Sequence, residues 1–294
     1  MRKFVRWVGI SVAGIVGAAL IVNAVIALIG RSRLNARHEL AVTLPADAVS
    51  TASVELGEMI AVTRGCTDCH DDGMKEKVFL DIPPGLIVAP NLTKGRGGIG
   101  SRYATLQDWE RAIRHGVRPD GTVLLPFMPY DFFNRLSDSD VASVSAYLAS
   151  LPDVDNELPA TKLRLPGYLM MGMPGSARER LIAKRNNPVR TPLPGPTAEY
   201  GRYIASTACV GCHSENMEGG PHHNPEGKPA PAVFHVAAWS REDFIRAIRT
   251  GVAPGGRELT DWMPWKKFAM FPDEDLVALH EYIKALKAPS PGAT

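Results

Sequence analysis

Apolar residues recur every three or four positions in two separate segments of the chain. The first segment carries Val141, Val144, Tyr147, Leu148 and Leu151, and the second carries Leu276, Leu279, Tyr282, Ile283 and Leu286. This spacing places the apolar side chains of each segment on one face of a helix, which favours burial of that face. The pattern therefore predicts two amphipathic helices, which start near Ser137 and near Pro272, both of them residues that favour a helix N-terminus.

A second pair of helices is predicted upstream of these two. They cover about residues 106–115 and 241–250, and each is followed by a glycine, Gly116 or Gly251. A glycine at this position is typical of a helix C-terminus, where the backbone favours a positive φ. Patterns typical of strands are nearly absent, so the sequence predicts a mostly α-helical fold.

The N-terminus carries an apolar run over residues 7–29 with only Ser11 and Asn23 as polar side chains besides Trp7. About 20 apolar residues are enough to cross a bilayer as a helix. The alternative is a cleaved signal peptide, whose apolar stretch is usually 7–15 residues and ends in small residues. This run is longer, and no such cleavage site follows it. We therefore interpret residues 1–37 as an uncleaved membrane anchor with basic flanks.

The rest of the chain contains an internal repeat. ELGEMIAVTRGCTDCH at 55–70 matches EYGRYIASTACVGCH at 199–213 with one deletion, and DWERAIRHGV at 108–117 matches DFIRAIRTGV at 243–252. At the same offset of 135 residues, Met128-Pro129 matches Met263-Pro264 and Phe133 matches Phe268. Several matches in one register predict two copies of one module, at residues 50–152 and 198–289, joined by a Pro-rich connection over 153–197.

The connection is too long to be a bare linker in a compact protein, and its prolines exclude one long helix. We expect it to lie across one or both copies of the module. Within it, the stretch YLMMGM at 168–173 is interpreted as loop residues that fill a surface groove.

The charge balance argues against a nucleic-acid partner. Six of the 33 Lys and Arg residues lie before residue 38, where no acidic residue occurs, so 27 basic and 31 acidic side chains remain in the rest of the chain. A nucleic-acid-binding surface would require an excess of basic residues there.

The two copies share the motif C-x-x-C-H, which uses all four cysteines of the chain. A redox-active dithiol is typical of α/β folds, and strand signals are nearly absent here. A zinc site would require two more ligands beside each pair, or pooling of the four cysteines, which leaves both histidines without a role. Covalent attachment of haem explains the whole motif. The cysteines would form thioethers, and the histidine would bind the iron.

With these motifs the chain resembles the c-type cytochromes over both copies, in particular membrane-anchored dihaem cytochromes. The stretches APNLTKGRGGIG (89–100), AIRHGVRPDG (112–121) and LPFMPYDFF (125–133) are also similar to the cytochrome c subunits of bacterial alcohol and gluconate dehydrogenases. Those subunits usually hold three haems, whereas this chain has two motifs. The resemblance implies two tandem class I cytochrome c-like domains after an N-terminal transmembrane helix. The two haem c groups would be held by Cys66, Cys69 and His70, and by Cys209, Cys212 and His213.

The resemblance also implies a methionine as the sixth iron ligand, on a loop after the middle helix. Met128 and Met263 occupy matched positions of the repeat, each before a proline, and are the expected ligands. Met74, Met217 and Met270 are interpreted as unmatched between the copies and therefore as packing or surface residues.

Further candidates for haem contacts follow from the same resemblance. The carbonyl group of Pro90, and that of Pro229 or Pro231, would hold the ligand histidines, although prolines here also fit ordinary loops. Arg114 and Arg249 are candidates for contact with haem propionates, or for exposed cations near a helix C-terminus. Trp109 and Phe244 would pack near the haem edge or in the plain core. His222 and His223 have no counterpart in the first copy and are interpreted as polar loop residues.

Two functions follow from these assignments. The first is a periplasm-facing electron carrier anchored in the bacterial inner membrane. It would take electrons from a dehydrogenase or quinol-oxidising complex and pass them to a terminal oxidase or soluble cytochrome. The alternative is a dihaem redox enzyme of the peroxidase or thiosulfate-oxidising type. A peroxidase requires one haem with an open position, and filled His/Met positions on both haems favour the carrier.

Overall fold

A computed structural model describes residues 2–42, 44–75, 77–173, 192–221 and 227–286. The fold is mostly helical, as predicted. The helices are α1 (Arg2–Asn35), α2 (Ala46–Ser50), α3 (Val54–Thr63), α4 (Cys66–His70), α5 (Leu106–His115), α6 (Tyr130–Phe133), α7 (Asp138–Ser150), α8 (Leu165–Gly172), α9 (Ala198–Ala208), α10 (Val210–His213), α11 (Arg241–Thr250), α12 (Trp265–Phe268) and α13 (Asp273–Ala285).

Helix α1 is long and apolar enough to cross a membrane. At 1.5 Å per residue it is about 50 Å long, which exceeds the hydrocarbon core of a bilayer. Most of its large apolar side chains are exposed, and Gly30 is its one buried residue among those described. This exposure is what a helix surrounded by lipid requires.

The chain forms two compact units that do not coincide with the two copies of the repeat. The first unit contains Met1–Val42, Lys75–Asp131 and Asp153–Lys184, and the second contains Thr43–Met74, Phe132–Pro152 and Arg185–Thr294. Each unit therefore combines segments that are distant in sequence. The boundaries that the repeat gives, at 50–152 and 198–289, stay a prediction.

The first unit contains a small antiparallel sheet that the sequence patterns did not predict. Strands β1 (Lys77–Ile82) and β2 (Gly85–Ala89) form a hairpin around Pro83 and Pro84, and β3 (Lys162–Leu163) pairs with β2. Both strands of the hairpin are rich in the apolar and β-branched residues that favour extended structure. The hairpin was missed because its two short strands lie outside the matched stretches of the repeat.

The described part of the connection packs along this first unit, in agreement with the expectation. The carbonyl oxygen of Val154 accepts a hydrogen bond from Asn91 at 2.7 Å, and the carboxylate of Asp155 lies 3.3 Å from the guanidinium of Arg96. The interpretation of the stretch 168–173 as a loop is wrong, because these residues continue helix α8, which packs against α1. Residues 174–191 of the connection lie outside the described residues.

The second unit is built on two helix pairs that repeat each other. Helix α3 packs against α7, and α9 packs against α13. A Cβ atom at Gly57 would lie 2.0 Å from the carbonyl oxygen of Ser143, and one at Gly201 would lie 1.9 Å from that of Ala278. Glycine is therefore required at both crossings, and the same crossing occurs in both copies.

The backbone also repeats locally after the middle helices. Gly116 and Gly251 both have a positive φ, 64° and 74°, at the ends of α5 and α11, as predicted. Ser137 is the N-cap of α7, and its side chain accepts a hydrogen bond from the amide of Asp140. Pro272 precedes α13, also as predicted, but it provides no side-chain hydrogen bond.

Candidate functional site

The second C-x-x-C-H motif lies where α9 ends and α10 begins. Cys209 is the junction between these two helices, and the amides of Cys212 and His213 both donate to its carbonyl oxygen. Ser214 then leaves the helix with a φ of 63°. The tight turn gathers both thiols and the imidazole within five residues.

The imidazole of His213 has a defined partner. Its Nδ1 lies 2.9 Å from the carbonyl oxygen of Pro231, so Nδ1 carries the proton and Nε2 is left as the ligand nitrogen. Of the two prolines that the sequence offered, Pro231 makes this contact. Burial lowers the pKa of His213, which keeps the ring neutral at pH 7, although the hydrogen bond to Pro231 opposes this shift.

A cavity of about 370 Å³ lies within the second unit beside this motif. Cys209, Cys212, His213 and Met263 all line it, together with apolar side chains that include Phe244. Ligand sites in proteins typically have volumes of about 300–1,000 Å³ and mostly apolar walls. The structure therefore brings the four predicted ligands of the second copy around one apolar space, and it places Phe244 there as well.

Met263 lies on a loop whose backbone matches that of Met128. The amide of Met263 donates to the carbonyl of Thr260 at 2.9 Å, and that of Met128 donates to the carbonyl of Leu125 at 3.1 Å. The amide two residues on then donates back to the carbonyl of each methionine. The loop conformation is thus a property of the repeat.

Met217 also lines the cavity, and its interpretation from the sequence needs correction. Met217 and Met74 follow their histidines by four residues, are both buried, and have φ values of 59° and 55°. They are therefore counterparts, and this match was missed because this part of the repeat has an offset of 143 residues. The carbonyl of Met217 accepts a hydrogen bond from Val233, two residues after Pro231, so Met217 belongs to the His213 side.

The predicted residues of the first copy are divided between the two units. Cys66, Cys69 and His70 form α4 in the second unit, where His70 is buried. Met128, Arg114 and Pro90 lie in the first unit, the last directly after β2. Their roles stay predictions.

Two buried polar side chains on α5 are notable in the first unit. Arg114 is 3 % exposed and forms an ion pair of 3.0 Å with Glu110. Trp109 stacks on Tyr103, and its Nε1 is buried without a hydrogen-bond partner among the described residues. A buried indole N–H normally has an acceptor, so this atom indicates that a group binds here.

Arg249 has different surroundings from Arg114. Its guanidinium donates to the carbonyls of Ala269 and Phe271 and forms an ion pair of 2.7 Å with Asp273. It stabilises the turn before α13 and is not among the residues that line the cavity. These contacts do not support a propionate contact for Arg249, which stays a prediction.

The cysteines do not fit the alternative chemistries. Burial raises the pKa of Cys66 and that of Cys209 to about 12, whereas a redox-active C-x-x-C requires a lowered thiol pKa. All four thiols are free of disulfides. No group of three or more His, Cys, Asp or Glu side chains in the described part of the chain could hold a metal ion, so a pooled zinc site is not formed there. His222 and His223 lie outside the described residues.

The two attachment motifs approach each other within the second unit. Lys267 forms an ion pair with Asp68, which lies between Cys66 and Cys69. In the reverse direction, a Cβ atom at Gly211, between Cys209 and Cys212, would lie 4.0 Å from the ring of Phe132. Lys267 and Phe132 are separated by the 135-residue offset of the repeat. Each copy therefore contacts the other's motif with the same position, as in a two-fold interface.

A buried cation lies between the copies. Arg64 is 7 % exposed, and its Nε donates to the hydroxyl of Thr207 at 3.1 Å. Its Nη1 donates to Thr63 at 2.7 Å, and its Cζ lies 5.0 Å from the ring centroid of Phe271. Thr63 and Thr207 are counterparts, so one guanidinium binds the same residue of both copies.

The model of the cytochrome c family matches residues 198–287, which include Cys209, Cys212, His213 and Met263. Residues 198–287 are a cytochrome c domain. This assignment agrees with the resemblance expected from the C-x-x-C-H motifs, and a cytochrome c domain implies haem c as its cofactor.

Curated relatives extend the similarity over most of the chain. It is 27 % identical to the fructose dehydrogenase cytochrome subunit of Gluconobacter japonicus, over 86 % of this chain and 56 % of that protein. It is 29 % identical to the alcohol dehydrogenase (quinone) cytochrome c subunit of Gluconacetobacter polyoxogenes, over 84 % and 58 %. A diheme cytochrome c-type protein of Cereibacter sphaeroides is 27 % identical, over 81 % of this chain and 87 % of its own length. The chain therefore spans little more than half the length of these two dehydrogenase subunits.

Proposed function

We propose that this protein is a membrane-anchored electron-transfer subunit that holds two covalently bound haem c groups. The observation that carries the proposal is the cavity of the cytochrome c domain, around which Cys209, Cys212, His213 and Met263 lie together. Its apolar walls and the neutral imidazole suit a large apolar cofactor with an iron centre. When bound, haem with His and Met ligands supplies a one-electron couple between Fe(III) and Fe(II), and Met favours the reduced state.

The residues of the second copy have separate roles in this proposal. Cys209 and Cys212 form the thioether bonds, and His213 binds iron through Nε2. The Pro231 carbonyl holds Nδ1–H and thereby fixes the orientation of the ring. Met263 supplies the sixth ligand, because Met217 is tied to the His213 side through the backbone contact with Val233.

The first copy would hold a second haem in the same way, through Cys66, Cys69, His70 and Met128. The support is the repeated sequence together with the repeated backbone around Met128 and Met263. Trp109 adds independent support, since a haem carboxylate would accept the hydrogen bond that its buried Nε1–H lacks. Arg114, buried on the same helix, would contribute a positive charge to that carboxylate.

The contacts between the copies favour electron exchange within one chain. The ion pair of Lys267 with Asp68 and the approach of Phe132 to Gly211 hold the two attachment motifs side by side. With His and Met on both irons, no coordination position is left for oxygen or peroxide, so the protein acts as a carrier and not as an enzyme.

The electron donor is proposed from the relatives. Two of them are named as cytochrome subunits of fructose dehydrogenase and of a quinone-dependent alcohol dehydrogenase, so a membrane or periplasmic dehydrogenase is the donor that we propose. A terminal oxidase or a soluble cytochrome would accept the electrons. Helix α1 anchors the protein in the bacterial inner membrane, with the haem-binding part in the periplasm.

Haem content tests this proposal directly. The full chain, expressed in a bacterium that attaches haem c, should carry two haems by intact mass and by pyridine haemochrome absorbance. Replacing Cys209 and Cys212 together with Ala should leave one haem, and so should replacing Cys66 and Cys69. Met217→Leu is the matched control and should retain both. An unchanged haem content in either double variant would refute the assignment, and peroxide turnover by the native protein would refute the carrier.

A further inference from the structure

Helix α8 crosses the last turns of α1 at very short range. A Cβ atom at Gly30 would lie 2.0 Å from the carbonyl oxygen of Tyr168, and one at Gly172 would lie 1.9 Å from that of Ile26. Residue numbers rise along one helix as they fall along the other, so the two helices are antiparallel. Close contact between glycine backbones is typical of helix pairs in membranes.

This register places α8 at the edge of the apolar part of α1. The apolar run of α1 ends at Ile29, and α8 extends from the level of Arg33, which lies after the run, to that of Ile26, which lies within it. If α1 spans the bilayer, the C-terminal turn of α8 therefore lies at the depth of the hydrocarbon boundary.

The composition and exposure of α8 fit such a position. No charged residue occurs between Leu165 and Met173. Leu165 is 59 % exposed, Met170 43 % and Met173 44 %, so α8 directs apolar side chains away from the protein while Gly167, Met171 and Gly172 are buried. These exposed side chains continue the apolar surface formed by Val25, Leu28 and Ile29 of α1.

The C-terminal carbonyl groups of α8 have a dedicated partner. Nη1 of Arg33 lies 2.9 Å from the carbonyl oxygen of Met171, 3.0 Å from that of Gly172 and 3.2 Å from that of Met173. The last carbonyls of a helix have no partner within the helix, and in water they would be solvated. Backbone groups that enter lipid must be satisfied within the protein, which is the condition that Arg33 meets.

We propose that α8 is a second membrane contact, which inserts Leu165, Met170 and Met173 into the leaflet on the side where α1 ends. Its partner is the lipid bilayer, and the contact fixes the protein on the membrane surface beside its anchor. This inference rests on the proposed anchoring role of α1.

Spin labels on the full holo-protein in phosphatidylcholine and phosphatidylglycerol vesicles test the insertion. The four native cysteines are consumed by haem in the proposed function, so Met170→Cys and Met173→Cys each introduce the one reactive thiol. The measurement is the ratio of collision rates of the label with oxygen and with a nickel chelate, which rises in lipid. Ile15→Cys on α1 is the lipid reference, and Val78→Cys, 46 % exposed on β1, is the matched apolar reference in water.

The ratio at Met170→Cys and Met173→Cys should exceed that at Val78→Cys several-fold and approach that at Ile15→Cys. Ratios equal to that of Val78→Cys, with a high ratio at Ile15→Cys, would overturn the insertion of α8 and leave the anchor in place; the apolar face of α8 would then await a protein partner. A low ratio at Ile15→Cys would overturn the anchor itself, and the inference with it.

Discussion

Nε of Arg64 donates to the hydroxyl of Thr207 at 3.1 Å, so a cation from the first copy is buried beside the attachment helix of the second. Replacing Arg64 with Met removes this bond, the bond to Thr63 and the contact with Phe271. Losing hydrogen bonds of a buried charged group should lower the free energy of unfolding by about 2–4 kcal/mol. Thermal unfolding of the holo-protein measures the change.

Arg202→Met is the control for this substitution, because Arg202 lies on helix α9, as Thr207 does, and is exposed. It should alter the free energy of unfolding by no more than about 0.5 kcal/mol. Equal effects of the two substitutions would contradict a structural role for the buried guanidinium.

Met263→Leu tests the sixth ligand of the second copy. Leu keeps the apolar volume but cannot bind iron, so the midpoint potential of one haem should fall, and the Fe–S charge-transfer band at the red end of its spectrum should disappear. Met217→Leu is the matched control, since Met217 lines the same cavity from the His213 side. Loss of the band in Met217→Leu, with retention in Met263→Leu, would reverse the assignment.

Asp275 should make the stability of the protein depend on pH. Burial raises the pKa of Asp275 to about 6; the charge of Asp140 adds to this shift, and Arg64 opposes it. Because the carboxyl group has a pKa of about 3.9 when unfolded, its ionisation destabilises the folded state as pH rises from about 4 to about 6. Tyr200 and Glu274 are the other titratable groups that act on it.

Asp275→Asn removes this ionisation. The variant should therefore gain stability relative to the native protein between pH 4 and pH 7, by roughly 1–3 kcal/mol. The difference in unfolding temperature, followed at both pH values, measures the gain. A difference that does not vary with pH would show that Asp275 keeps an ordinary pKa.

Gly30→Val should separate α8 from α1. A side chain at Gly30 would meet the backbone of Tyr168, whereas a Cβ atom at Gly17 on the same helix would have no other atom within 4 Å, so Gly17→Val serves as the control. Hydrogen exchange of the α8 amides, followed by mass spectrometry in detergent micelles, should accelerate in Gly30→Val and stay unchanged in Gly17→Val. Protection of α8 in both variants would indicate that the crossing does not hold it.

The helices and the attachment motifs were predictable because their signals are local. The spacing of apolar residues in α7 and α13, the glycines after α5 and α11, and the C-x-x-C-H motifs each occupy a few consecutive residues. Met263 was found because the repeat linked it to Met128, although nothing near it distinguishes it from other methionines.

The features that were not predicted have a physical reason in common: they depend on contacts between distant segments. The hairpin β1–β2 is completed by β3 from the connection, some 75 residues later. Helix α8 forms against α1, with Arg33 at its end, and no local pattern announces that partner. Met217 was treated as unmatched because the alignment was anchored on the offset of the middle helices, and one residue is missing between Thr207 and Cys209.

That missing residue makes the duplication unequal. In the first copy Arg64 and Gly65 separate Thr63 from Cys66, whereas in the second Ala208 alone separates Thr207 from Cys209. Two identical centres would give an electron no reason to move either way. The guanidinium acts on the Cys209 side, where a nearby positive charge favours the reduced iron. One inserted residue thus gives the pair a downhill direction, from the first copy to the second.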